Sequence, residues 1–137
     1  MEINHVGATT IINDCYNANY DSMKAAIETL AKIEGKRKIA VLGDMLELGE
    51  FSKELHEKVG KEVAKNQIDV LITIVEEAKH IAQKAQEEGM QESSIHIFEN
   101  NESAITYIKN IQKEGDVILI KASNAMKFIE IVNALKQ

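Results

Sequence analysis

The stretch from Ala8 to Gly35, ATTIINDCYNANYDSMKAAIETLAKIEG, decides the fold because it contains one strand pattern followed by one helix pattern. The β-branched run Ala8–Asn13 is typical of a buried strand. Farther on, apolar residues recur at helical spacing and share one face: Met23, Ala26, Ile27, Leu30 and Ile33. Asp21 is a candidate N-cap and Gly35 a stop signal. The stretch therefore predicts a strand–helix unit.

The same unit recurs four more times along the chain. Strand-like runs are KIAVLG (38–43), DVLITIV (69–75), SIHIF (94–98) and DVILIKA (116–122). Helix patterns follow these runs: the second helix runs from Ser52, and the last opens near Ser123. Ala78, Ile81, Ala82 and Ala85 mark the third, which stops at Gly89, and Ala104, Ile105, Ile108 and Ile111 mark the fourth, which ends at Gly115. Such alternation predicts one α/β domain over residues 1–137, Rossmann-like, with a mostly parallel sheet and helices on both faces.

Composition narrows the class of protein. A chain of 137 residues has the size of one domain, and its net charge of −6 argues against a nucleic-acid partner. It has no apolar run near the ~20 residues that span a bilayer, and the first ten residues lack the features of a signal peptide. The single cysteine fits a reducing compartment. We therefore expect a cytoplasmic location.

Polar residues gather where three of the predicted strands end. These segments are NDCYNAN (13–19), GDMLELGE (43–50) and KASNAMK (121–127). In an open parallel sheet, ligands bind beyond the carboxyl ends of the strands. The candidate site is therefore expected at these three ends.

The first strand end carries groups suited to a nucleotide. The Asp14 carboxylate can accept hydrogen bonds from ribose hydroxyls, and Tyr16 can stack on a base. Asn17 and Asn19 each offer a donor and an acceptor, although asparagines here are often turn and helix-cap residues. For the asparagines alone the turn-and-cap interpretation is favoured, and the density of polar groups around them shifts the balance modestly toward a site.

The last strand end carries a possible anion site. Lys121 ends a buried strand and Ser123 lies where the last helix is expected to begin, and a helix N-terminus favours negative charge. The alternative is that Ser123 is only an N-cap and Lys121 a solvated strand end. The residues alone do not decide between the two.

The sequence does not indicate a nucleophilic cysteine, a metal site or a phosphate-binding loop. Cys15 has no histidine near it in sequence and no feature that would lower the thiol pKa, so a small, partly buried residue is expected. The four histidines show no metal-ligand spacing, and we expect no metal site. Gly43 and Gly49 lack the spacing and the lysine of a phosphate loop.

Three segments together resemble a known family. IINDCYNANYDSMKAAIETL (11–30), RKIAVLGDMLELGEFSKELHEKVG (37–60) and ILIKASNAMKF (118–128) are similar to the C-terminal domain of the Mur ligases. Within that family they resemble the UDP-N-acetylmuramoyl-tripeptide–D-alanyl-D-alanine ligases. The resemblance covers nearly the whole chain from about Val6.

The resemblance implies an ATP-dependent carboxylate–amine ligase of peptidoglycan synthesis, and hence of cell wall biogenesis, cell shape and cell division. ATP with Mg²⁺ would be bound mainly by a central ATPase domain, and the UDP-sugar by an N-terminal domain. D-alanyl-D-alanine would attack an acyl phosphate of the UDP-N-acetylmuramoyl-tripeptide. Because this chain lacks those two partner domains, we expect it to fold alone, to bind ATP weakly and to have no ligase activity.

The resemblance also assigns residues. Asp14, Tyr16 and Asn17 would contact the nucleotide, with Asp14 at the ribose and Tyr16 near the adenine. The expected substrate-binding residues are Asn17, Asn19, Asp44, Lys121 and Ser123. No catalytic residue is expected in this domain alone.

Several positions depart from the family pattern. The family usually has proline where Tyr20 stands, often aspartate and serine at Asn13 and Cys15, and Lys-Gly-Ser followed by a basic residue where this chain has Lys121 to Asn124. Ala122 restricts a backbone that glycine leaves free. These departures affect the expected contacts with the dipeptide more than those with the nucleotide.

Two other classes of function remain as alternatives. One is a non-catalytic interaction module of the same fold. The other is a receiver-like signalling domain, which has acids after its first strand and a lysine after its fifth. A receiver needs an acceptor aspartate after strand three, where this chain has Val75 and Glu76.

Overall fold

A six-stranded sheet forms the centre of the chain, which the computed structural model describes from residue 1 to residue 137. The strands are β1 (Glu2–Val6), β2 (Thr9–Asn13), β3 (Arg37–Gly43), β4 (Val70–Ile74), β5 (Ile95–Phe98) and β6 (Asp116–Lys121). The helices are α1 (Tyr20–Lys32), α2 (Ser52–Lys65), α3 (Lys79–Glu87), α4 (Asn101–Ile111) and α5 (Ile129–Leu135). Short 3-10 turns cover Gly49–Phe51, Glu92–Ser94 and Asn124–Met126.

The strand order is β1-β2-β6-β3-β4-β5, and every pair except β1–β2 is parallel. The last strand, β6, therefore lies between the first two parallel strands: Leu119 is opposite Ile12 on one side and Ala40 on the other. This arrangement confirms the predicted Rossmann-like α/β fold. It also brings the carboxyl ends of β2, β6 and β3 side by side.

Helices cover both faces of the sheet because the central strands are apolar on both sides. Alternate strand residues such as Ala40 and Leu42 pack with α1, α2 and α3, whereas Ile39 and Val41 pack with α4 and α5. Strand β6 is buried along its whole length, as expected for a central strand in a parallel sheet. The sheet is thus a rigid support for the loops at its carboxyl edge.

Strand β1 is the element that the sequence pattern did not predict. It pairs antiparallel with β2 through a tight turn in which Gly7 has a φ of +60°. Four of the first five residues are exposed, and Asn4 is half-buried, so the segment lacks the buried apolar run by which the other strands were recognised. An edge strand paired on one side needs no such run.

Two helix starts also differ from the prediction. Helix α1 begins at Tyr20 with Asn19, not Asp21, as its N-cap. The last helix, α5, begins at Ile129 and not near Ser123, because Lys127 adopts a left-handed conformation with a φ of +56° after a 3-10 turn. The predicted helix N-terminus at Ser123 is therefore wrong.

The strand order also contradicts the receiver-like alternative. Numbered in chain order, the parallel strands of a receiver run 2-1-3-4-5. The five parallel strands here run 1-5-2-3-4 when counted from β2.

None of the helices is both long enough and apolar enough to cross a membrane.

Candidate functional site

An open cleft of about 370 Å³ lies beyond the carboxyl ends of β2 and β6. Its lining residues are Met1, Glu2, Asn13, Asp14, Cys15, Tyr16, Asn124 and Ile129. Of the predicted nucleotide residues, Asp14 and Tyr16 line this cleft and Asn17 does not. The polar cluster after the first predicted strand is thus at the mouth of a cavity, as its place in the fold implies.

Asp14 and Lys121 form an ion pair beneath the cleft. Lys121 is 1% exposed, and its ammonium donates to Asp14 Oδ2 at 2.9 Å and to the Asn17 carbonyl oxygen at 2.8 Å. The second carboxylate oxygen, Asp14 Oδ1, accepts no hydrogen bond and lies 3.9 Å from the Met1 amino nitrogen. Lys121 is therefore neither a solvated strand end nor a free anion-binding group. It anchors the turn that carries Asp14.

Cys15 is a buried neighbour of this pair. Its thiol donates to Asn13 Oδ1 at 2.9 Å, and burial raises the pKa of the Cys15 thiol above its ordinary value. A raised pKa disfavours the reactive thiolate. This confirms the prediction that Cys15 is a small buried side chain.

Tyr16 and the two asparagines differ in what their side chains do. Tyr16 lines the cleft and is 83% exposed, so its ring is largely accessible to solvent. Asn17 Oδ1 accepts from the Ala18 N–H at 2.9 Å. Asn19 is the N-cap of α1 and forms a capping box with Ser22. The turn-and-cap interpretation therefore holds for Asn19.

The β3–α2 loop, residues Asp44–Leu48, connects β3 to the next 3-10 turn. Hydrogen bonds from neighbouring segments hold it in place. Asp44 is buried and its Oδ1 accepts from the Ala78 N–H at 2.8 Å. Burial raises the pKa of the Asp44 carboxyl above its ordinary value. Ser123 donates its N–H to the Asp44 carbonyl at 3.1 Å, and its hydroxyl accepts from the Leu46 N–H at 3.0 Å. Ser123 thus links the β6 end to the β3–α2 loop.

His56 completes the support of this loop, and the sequence reasoning missed that role. It is fully buried on α2, where its Nε2 accepts from the Met45 N–H at 3.0 Å. Its Nδ1 lies 2.7 Å from the Ser52 carbonyl. The available signal is helical register, because His56 lies three residues before Val59 on the apolar stripe.

The positions that depart from the family pattern are accommodated by the fold. Tyr20 is the first residue of α1, a position where proline is also favoured, and its hydroxyl donates to Glu62 Oε1 at 3.2 Å. Ala122 is buried without a positive φ, so its methyl group creates no backbone strain. Asn124 lines the cleft, where it supplies no positive charge.

Comparisons with known proteins agree with this architecture. The model of the Mur ligase, glutamate ligase domain matches residues 1–124. The UDP-N-acetylmuramoyl-tripeptide–D-alanyl-D-alanine ligase of Bacillus subtilis is 39% identical over 127 residues, which are 92% of this chain and 28% of that protein. The ligase of the same name from Synechocystis is 32% identical over 91% of this chain and 27% of that protein.

A solved structure gives the same result in three dimensions. The MurF ligase from Thermotoga maritima in complex with ADP superposes with a TM-score of 0.81 at 28% identity, covering 98% of this chain and 29% of that one. The chain thus spans less than a third of the length of these relatives. It belongs to the Mur ligase family, in which it is a C-terminal domain of the MurF type.

Proposed function

We propose that this chain is the part of an ATP-dependent ligase that contacts the nucleotide and the incoming dipeptide. The complete ligase joins D-alanyl-D-alanine to UDP-N-acetylmuramoyl-tripeptide in cytoplasmic peptidoglycan synthesis. Its partners are the N-terminal and central domains of the same ligase. The names of the curated relatives and the match to the Mur ligase domain support this proposal.

The geometry of Asp14 carries the nucleotide half of the proposal. Lys121 occupies Oδ2 and leaves Oδ1 without a hydrogen bond beside the cleft. Ribose presents two adjacent hydroxyl groups, which donate well to a carboxylate fixed in one orientation. Asp14 is therefore the residue to which we assign the ribose.

Tyr16 and Asn17 complete the nucleotide side. The exposed Tyr16 ring offers a stacking surface for adenine. Asn17 uses its carbonyl oxygen to hold Lys121 and its Oδ1 to hold the Ala18 N–H, so its side-chain NH₂ group is the part left for a ligand. All three assignments use groups that the fold leaves available.

The cleft suits a nucleoside better than a triphosphate. No lysine, arginine or histidine side chain lines it, whereas Glu2 and Asp14 do. The phosphates therefore need the cationic groups and the phosphate loop of the central domain. Mg²⁺ would be held there as well, by oxygen ligands and the phosphates. When bound there, ATP supplies the phosphoryl group that turns the tripeptide carboxylate into an acyl phosphate.

The dipeptide side of the proposal involves Asn17, Asn19, Asp44, Lys121 and Ser123. Asn17 and Asn19 are exposed and can offer their amide groups to the dipeptide. Asp44, Lys121 and Ser123 are buried and hydrogen-bonded within the fold. We assign them the task of fixing the backbone that faces the dipeptide.

Titration of the chain with ADP, followed by amide chemical shifts, tests this proposal. We expect the largest shifts at Asp14, Tyr16 and Asn17, with affinity weaker than micromolar because no lysine, arginine or histidine side chain lines the cleft to hold the phosphates. Y16A should weaken binding by about fivefold or more, since stacking on an aromatic ring contributes about 1–3 kcal/mol. Y16F is the matched control and should bind like the parent chain.

Three results would count against the proposal. Shifts that avoid the cleft would remove Asp14 and Tyr16 from the nucleotide side. Micromolar or tighter binding by the chain alone would mean that it holds the phosphates itself. If no nucleotide binds even at millimolar concentration, a non-catalytic interaction module becomes the better interpretation, and Asn124 in place of a basic residue agrees with it.

A further inference from the structure

The hydrogen bonds of His56 define which of its ring nitrogens carries the proton. The Ser52 carbonyl can only accept, so Nδ1 carries a hydrogen. The Met45 N–H can only donate, so Nε2 has none. His56 is thus held as the neutral Nδ1–H tautomer, and both of its nitrogens are in use.

A second proton on His56 has no place in this arrangement. It would have to bind Nε2, which would then point an N–H group at the Met45 N–H, donor against donor. The ring is fully buried, so no water can take over the bond without a movement of the chain. The Met45 N–H is itself one of the bonds that fix the β3–α2 loop.

Charged and titratable groups face His56 from each neighbouring element. Asp44 lies in the β3–α2 loop, Glu77 in the turn before α3, and His80 on α3. The Ser52 hydroxyl, on the same helix as His56, donates to Glu77 Oε1 and ties α2 to that turn. The two carboxylates favour a proton on His56, whereas burial and His80 oppose it; burial is the largest effect, and the pKa of His56 lies below its ordinary value.

We propose that His56 is a pH-sensitive positioning residue whose neutral ring fixes the β3–α2 loop and whose protonation releases it. The loop lies at the carboxyl edge of the sheet, joined to the β6 end through Ser123. Release would free the Met45 and Leu46 N–H groups and expose Asp44, while the sheet stays intact. This inference concerns the folded chain alone and does not depend on the proposed ligase function.

An NMR titration of the chain from about pH 8 to about pH 5 tests the inference. At the upper end, the nitrogen shifts of His56 should report a neutral ring with a hydrogen on Nδ1. As the ring gains its proton, the protection of the Met45 and Leu46 amides against hydrogen exchange, corrected for the intrinsic pH dependence of exchange, should fall together by about tenfold. The corrected protection of the Ile118 amide in the central strand should not change in the same step.

The H56Q variant shows whether the pH-dependent step comes from the His56 ring or from a neighbouring titratable group. A glutamine amide oxygen can still accept from the Met45 N–H but does not titrate, so the step in exchange should disappear while protection remains. H5Q is the matched control, because His5 is exposed on β1, and it should keep the step. H80Q should also keep it.

Three results would overturn the inference. The first is a His56 ring that titrates without any change in Met45 exchange. The second is an unchanged step in H56Q, or its loss in H80Q, which would place the titrating group elsewhere. The third is global unfolding before His56 gains its proton. Because the titration of the parent chain alone tests the first and third results, a failure of H56Q to fold would leave the inference testable.

Discussion

Asp14 and Lys121 illustrate how one pair of residues serves both the fold and the candidate site. The Lys121 side chain is 1% exposed and that of Asp14 is 16% exposed, so the cation depends on the carboxylate for its charge partner. The carboxylate in turn is held by one oxygen and presents the other to the cleft. The pair therefore sets the orientation of the group that we assign to the ribose.

Removal of the carboxylate should be costly. D14N leaves a buried ammonium without its counter-charge, and we expect a loss of about 3 kcal/mol in the free energy of unfolding. The D14N/K121M double variant should recover a large part of that loss, because no buried charge remains. Urea denaturation of the two variants measures the difference.

A surface pair provides the control for this prediction. Lys79 lies 3.2 Å from Glu76 and 3.4 Å from Glu99, and both carboxylates are exposed to solvent, so K79M should change stability by less than about 1 kcal/mol. Equal effects of D14N and K79M would show that the Asp14–Lys121 pair is energetically no different from a surface pair. That result would contradict the anchoring role given to Lys121.

At the scale of elements, the start of α1 fixes the turn that leads out of the site. Asn19 accepts from the Ser22 N–H, and the Ser22 hydroxyl accepts from the Asn19 N–H. Each bond satisfies a donor that a helix or its flanking turn would otherwise leave free. The same asparagine is proposed to face the dipeptide, so its two roles need to be separated.

Substitution of Asn19 tests its capping role. N19A should lower the free energy of unfolding by about 1 kcal/mol, the usual effect of losing an N-cap. N19S should retain most of the stability, because serine also caps well. N17A is the neighbouring control and should have a smaller effect than N19A. Equal stability of N19A and the parent chain in thermal or urea denaturation would contradict the capping role.

Two titratable groups at the β3–α2 loop, His56 and Asp44, make the free energy of unfolding depend on pH, and their effects are opposite in direction. The folded-state pKa of His56 lies below its ordinary value of 6.5, so the unfolded chain takes up this proton first. Stability from His56 is therefore complete above about pH 6.5 and is lost as the pH falls below it. The raised pKa of Asp44 acts in the opposite direction, since its folded form holds a proton above the ordinary value of 3.8.

Unfolding free energies measured between about pH 7.5 and 5 should show the His56 contribution. The parent chain should lose more stability than H56Q as the pH falls. As the pH is lowered further toward the ordinary carboxyl value of 3.8, D44N should lose more stability than the parent chain, because the compensating uptake of a proton by Asp44 is absent. Parallel curves for the parent chain and H56Q between about pH 7.5 and 5 would show that His56 is not linked to folding in this range.

At the scale of the whole molecule, the alternation of strands and helices could be predicted from the sequence, but the place of every strand in the sheet could not. Runs such as VLITIV (70–75) and the helical stripe from Met23 to Ile33 are local patterns, and each became an element. The insertion of β6 between β2 and β3 depends on pairing between distant residues and leaves no local pattern. Strand β1 went unrecognised because an exposed edge needs no apolar run.

The candidate site was predictable in location and less so in its bonding. Strand ends carry ligands in parallel sheets, so Asp14 and Tyr16 could be placed at a site before any coordinates. The Lys121 ammonium donates its hydrogen bonds to Asp14 and Asn17. The sequence could not predict these bonds, because they depend on strands that the fold brings together. The bond from Met45 to His56 was missed for the same reason.

The central claim, that this chain serves a D-alanyl-D-alanine-adding ligase, is tested most directly by a domain exchange. The segment of the Bacillus subtilis ligase that aligns with this chain, 28% of that protein, would be replaced by residues 1–137. Product formation from ATP, UDP-N-acetylmuramoyl-tripeptide and D-alanyl-D-alanine would then be measured. We expect the hybrid to be active, and the isolated chain and the truncated ligase to be inactive. A correctly folded hybrid that forms no product would contradict the claim.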